Sequence, residues 1–184
     1  YMRRSSLKLI LALFFLQFSI SNITAQPLGK KKEYTHADTL RGSNGPGRMY
    51  WDVLHYEITV KPDYNAKTIQ GQNIISFIDS GVRTMQIDLQ QPMIVDSIIK
   101  DGRSFNFTRE GNVCWVQLRD EDARYKLKIG KAALTVYFHG KPREAVRPPW
   151  DGGWIWRKDK NNNPWMSVAC QGLGASVWYP CKDF

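Results

Sequence analysis

Three histidines, three cysteines and one glycine-rich run that carries a serine are the residues of this chain with the types to do chemistry. His36, His55 and His139 sit in THAD, LHYE and FHGK. None is followed by Glu, and none has a second His three or four residues away, so the helix-borne His-Glu-x-x-His pattern that holds zinc is missing. Histidines without partners at ligand spacing read as surface strand or turn residues. GLGASVW supplies Gly172, Gly174 and Ser176, but not the Gly-x-Ser-x-Gly spacing of a nucleophile elbow. The same two glycines fall short of a dinucleotide fingerprint, because no helix with a follow-on acidic residue accompanies them. Cys114, Cys170 and Cys181 allow one disulfide with a thiol left over, Cys170 and Cys181 being the closer pair, or three small buried apolar side chains. Spacing does not choose between these. On local chemistry alone the chain is not a complete enzyme: it offers no catalytic set and no metal site.

A second constellation is aromatic. Five of the seven Trp fall within residues 148–184: Trp150, Trp154, Trp156, Trp165 and Trp178. Flat rings on a β-surface stack on sugars or bases, with Arg157 and Lys160 nearby to favour an anionic ligand. The same rings also suit a domain junction, where each would bury a large area and need a partner for one N–H. The junction is the preferred reading.

The elements that must position these residues read as short strands. VLHYEITVKP alternates Leu54, Tyr56, Ile58 and Val60 against His55, Glu57, Thr59 and Lys61, a half-buried strand by period. Pro62 and DYNAK turn the chain into TIQGQNIISFID, which continues through Ile69, Ile75 and Phe77, with Gly71 marking a bulge or a close neighbour. TMQIDLQ, MIVDSIIK, SFNFTR, VCWVQL and AALTVYFHG follow, separated by DSG, DG, REGN and LKIGK. WIWRKDKNNNPWMSVA reads as a further hairpin turning at its Asn run. No segment keeps a helical period with caps, so the fold class is all-β, an antiparallel β-sandwich.

The N-terminus has a different character. Arg3, Arg4 and Lys8 precede an apolar run from Leu9 to Ile20 and a small residue, Ala25. That order is a signal peptide over residues 1–25, which implies export to the periplasm or beyond; the run is shorter than the ~20 residues of a spanning helix, so no stable membrane anchor is expected after cleavage. Residues 26–49 read as a polar extended arm, and 50–184 as one β domain with its own core. The formal charge of +9 includes three cations of the signal peptide. The remaining charges are interspersed with Asp and Glu, which argues against a nucleic-acid partner.

Taken in order, WDVLHYEITVKPDYNAKTIQGQNIISF, LTVYFHGKP, PPWDGG with its following IW, and ACQGLGASVWYPCKD resemble the N-terminal domain of the aminopeptidase-N family of zinc metallopeptidases, especially its secreted bacterial branch. The resemblance runs over roughly residues 41–184. It implies a saddle-like β domain packed on a catalytic domain of the same polypeptide that would follow Phe184, with zinc held there and none by this chain. It also implies a peptide substrate, and a fragment that is inactive by itself. One residue is carried over: the family places a Gln or similar polar residue nine positions before the Pro of Pro-Cys-x-Asp, and Gln171 stands nine before Pro180. Its implied role is substrate binding near the peptide's amino terminus. Family members often carry Arg where Ser176 or Val177 falls and Phe where Tyr179 falls, which touches local packing only. The rival expectation is a stand-alone secreted β-sandwich that binds glycan or another surface ligand through its Trp-rich face.

Overall fold

The computed structural model describes residues 33–118 and 129–184. The expected signal peptide, and the arm up to residue 32, lie outside the described residues. From Thr35 to Phe184 the chain forms one compact unit. Two short helices, α1 (His36–Gly42) and α2 (Pro46–Met49), lead into β1 (Trp51–Asp63), β2 (Thr68–Asp79), β3 (Thr84–Asp88), β4 (Ile94–Lys100) and β5 (Arg103–Ser104). There follow β6 (Phe107–Glu110), β7 (Val113–Gln117), β8 (Gly130–Gly140), β9 (Gly153–Lys158), β10 (Pro164–Ala169) and a 3-10 turn, Ala175–Val177.

Every ladder between these strands is antiparallel, in three sheets ordered β1-β2-β8-β4-β5, β3-β7-β6 and β10-β9. The all-β expectation therefore holds. One core joins all three sheets: Ile75 and Phe77 of β2, Ile98 of β4 and Val136 and Phe138 of β8 meet Met85 and Ile87 of β3, Val116 of β7, and Trp154 and Trp156 of β9. The β1–β2 hairpin turns at Asp63, whose carboxylate accepts from the Asn65 and Ala66 amides at 3.0 and 2.9 Å. Gly71 marks a close neighbour rather than a bulge. A Cβ there would stand 2.2 Å from the Thr59 carbonyl oxygen of β1.

Two expectations are corrected. Leu54 does not share the inner face with Tyr56, Ile58 and Val60; it is 53% exposed. A register shift between Val53 and His55 inserts one residue, so the inward set runs Trp51, Val53 and then Tyr56, with Leu54 turned out. The arm is not extended over residues 36–49 either, where two short helices form. Thr35 caps α1 by a capping box in which its hydroxyl accepts from the Asp38 amide and its own amide donates to the Asp38 carboxylate at 2.9 Å. Pro46 then opens α2 at a position where its missing N–H costs nothing.

Candidate functional site

The site is built around the turn that leaves β10. The β9–β10 ribbon carries Cys170 and Gln171 out of the core, and a loop before it sets its base. In that loop the Asp151 carboxylate accepts from the amides of Val146 and Arg147, each at 2.7 Å. Chiefly through the Val146 amide, its carboxyl is held below the ordinary carboxylate range. The Trp154 amide donates to the Arg143 carbonyl at 2.7 Å and fixes where β9 begins.

The turn closes on Cys170, whose carbonyl accepts from the Leu173 and Gly174 amides at 3.3 and 2.9 Å. Gln90, just past β3, grips it from below: its amide Nε2 donates to the Leu173 carbonyl at 2.6 Å and to the Ser176 hydroxyl at 2.9 Å. From α1, the Arg41 guanidinium donates to the Gly172 carbonyl. Gly174 adopts φ +80°, and a side chain there would collide with the Asp183 carboxylate.

The chain then docks on the sheets. Asn73 donates to the Pro180 carbonyl at 2.7 Å, and Asp88 and Cys181 exchange backbone bonds at 2.8 and 3.0 Å. The Lys182 amide donates to the Tyr56 hydroxyl at 2.8 Å, and its ammonium lies 5.1 Å from the centre of the Trp51 ring. Burial pushes the Tyr56 hydroxyl far above its ordinary range and Tyr179 up to about 12. The Asp183 amide donates to Asp88 at 3.0 Å, and Ser176 donates to the Asp183 carboxylate at 2.5 Å.

Asp88 is the hub of this docking. Nη2 of Arg48 donates to both of its oxygens at 2.7 Å, and Arg48 is fully buried in α2. Desolvation pushes the Asp88 carboxyl up, while Arg48 and the bonds from Asp183 and Gln86 pull it down. The same guanidinium donates through Nη1 to the carbonyls of Arg41 and Ser43 at 3.1 and 2.8 Å. A cleft of about 540 Å³ opens beside the hub, lined by Arg41, Asp88, Gln90, Asn112, Leu173 and Asp183 among others.

The expected site residues separate into distinct places. Gln171 is exposed on the turn and does not line the cleft. Ser176 is buried and bonded to Asp183 and Gln90, which suits a structural hydroxyl. The histidines stay apart: His36 meets Glu110 at 2.7 Å, His139 meets Asp96 at 2.6 Å, and His55 is exposed on β1. All three cysteines are free thiols, Cys114 and Cys181 buried and Cys170 exposed, so neither open alternative holds in full. Among the described residues no group of three His, Cys, Asp or Glu could hold a metal ion. The Trp set divides: Trp154 and Trp156 are core, whereas Trp150 and Trp165 are 79% and 59% exposed. Arg41, Arg48, Asp88 and Gln90 were not singled out by the sequence. The bonds Arg41–Gly172, Arg48–Asp88 and Gln90–Leu173 span 131, 40 and 83 residues, and no local pattern marks such pairs.

No family model matches the chain, and no curated protein matches it. Solved structures do. The native LTA4 hydrolase of yeast aligns with TM-score 0.58 and 16% identity over 84% of this chain and 23% of that one. An M1 zinc metallopeptidase from Deinococcus radiodurans aligns with TM-score 0.52 and 17% identity over 74% of this chain and 30% of that one. The chain thus spans under a third of the length of these structures. What they share with it is a fold, that of the all-β N-terminal domain of M1 peptidases.

Proposed function

We propose that this chain serves as the N-terminal β domain of an exported zinc aminopeptidase, walling one side of the active-site cleft while Gln171 orients the amino terminus of a peptide substrate. The observation that carries the reading is the fold shared with an M1 zinc metallopeptidase. The geometry of residues 170–184 supports it. A turn tied down on several sides presents one exposed amide, and a Gln amide both donates and accepts, so it orients an amine or a carbonyl without adding charge. Zinc in this reading belongs to the catalytic domain. The described residues offer no ligand set for it, and no step through zinc is assigned to them.

Two measurements test the proposal. Reading the coding sequence beyond Phe184 should reveal His-Glu-x-x-His in frame, and a stop codon at that point would overturn it in favour of a binding module. In the contiguous polypeptide, Gln171→Ala should raise KM for aminoacyl substrates by roughly 10- to 100-fold, the worth of a hydrogen bond to a charged group. An unchanged KM would remove Gln171 from substrate binding.

A further inference from the structure

We infer that Arg41 is the positioning residue for Gln171, and that α1 is a polar strap whose task is to hold the turn on which Gln171 stands. The inference rests on the proposed role of Gln171 only for its meaning in catalysis; the strap itself is a statement about this chain.

Within the turn only the Cys170 carbonyl is used, by the Leu173 and Gly174 amides at 3.3 and 2.9 Å, and the Gly172 carbonyl is left to an outside donor. Gly172 and Gly174 flank Leu173 at φ +68° and +80°, conformations that suit glycine, and glycine backbones carry the most freedom to lose. A side chain built on Gly172 would meet nothing within 4 Å, so no packing holds the backbone at that point. Its carbonyl is held instead by the Arg41 guanidinium, a charge-assisted bond across 131 residues of sequence. Leu173 is gripped on the other side by Gln90.

The helix that carries Arg41 has no fully buried residue, its one large apolar side chain, Leu40, being half-buried, so apolar packing does little to fix where it sits. Its attachments are polar. The Leu40 carbonyl accepts from Gln86 at 2.8 Å, the Arg41 carbonyl accepts from Arg48, and His36 reaches Glu110. Through Arg48 the strap is fastened to Asp88, the same carboxylate that receives the Asp183 amide. Arg41 lies in the last turn of α1, where a cation complements the helix dipole. One guanidinium thus connects the lead-in segment to the Gly172–Leu173 peptide unit, one residue past Gln171.

Amide exchange by NMR tests this in the chain itself. Arg41→Ala should speed exchange of the Leu173 and Gly174 amides about 10-fold or more, the loss of a charged hydrogen bond, and leave the amides of β2 and β8 as they were. Arg41→Lys, which keeps a donor, should recover part of the protection, and Arg41→Gln, which drops the charge, should recover less. Unchanged exchange at Leu173 and Gly174 in Arg41→Ala would overturn the strap, as would an equal acceleration in β2 and β8. In the contiguous polypeptide Arg41→Ala should raise KM with kcat held, and add nothing on top of Gln171→Ala. Should Gln171→Ala leave KM unmoved while the exchange result stands, the cleft role fails and the strap survives.

Discussion

At the scale of single residues, Asp88 decides most. Its oxygens accept from Arg48, Gln86 and the Asp183 amide, while the Arg48 Nε has no partner among the described residues. Breaking a buried ion pair from one side leaves the other charge stranded, a loss of about 3–5 kcal/mol, whereas replacing both members by apolar residues is often far milder. Asp88→Ala should therefore lower the urea midpoint by more than Asp88→Leu combined with Arg48→Met. The thiols give a second residue-level test. Burial pushes Cys114 up to about 11 and Cys181 well above the ordinary thiol range; Cys170 is also raised, but it is exposed. The thiolate is the nucleophile, so iodoacetamide at about pH 8 should label Cys170 alone in the native chain and all three in denaturant.

At the scale of elements, the β9–β10 ribbon shows how differently aromatic residues of one segment are used. Trp154 packs on Trp156 and Trp178 with ring centres 5.3 and 5.5 Å away, and Trp178 meets Tyr179 at 4.6 Å. Trp154→Ala should cost about 3–5 kcal/mol in urea unfolding. Trp165→Ala, on the exposed face opposite Arg157, should stay within about 0.5 kcal/mol. The strands were legible because apolar alternation and turn residues are local signals; β2 and the ribbon fall where Ile75, Phe77 and the Asn run place them. The phase of β1 was not, because a bulge shifts the alternation without changing composition. The first helix left a signal that a helical-period criterion passes over: THAD is a capping box, and a seven-residue helix is too short to show a period. Gln171 was singled out only by the family resemblance, which places a polar residue nine before Pro180, and its role stays a proposal; Arg41 and Gln90 left no sequence signal because tertiary contacts alone join them to the turn.

At the scale of the whole molecule, the surface carries Trp150, Trp165, Met166 and Phe184 exposed, and among the described residues the strand β10 pairs with β9 alone. Large exposed apolar side chains and an open strand edge both favour association. The isolated chain should therefore gain apparent mass with concentration in light scattering, and Trp165→Ser should reduce that gain; a concentration-independent monomer would refute it. No helix among the described residues is long and apolar enough to cross a membrane. The Asp88 hub has a further consequence for synthesis. Its partners come from 40 residues earlier and 95 residues later in the chain, so its final bond forms only once residue 183 has left the ribosome. Until then Asp88 lacks the Asp183 amide among its donors. The tie between Asp88 and the C-terminal segment is therefore among the last contacts of the described residues that synthesis makes possible.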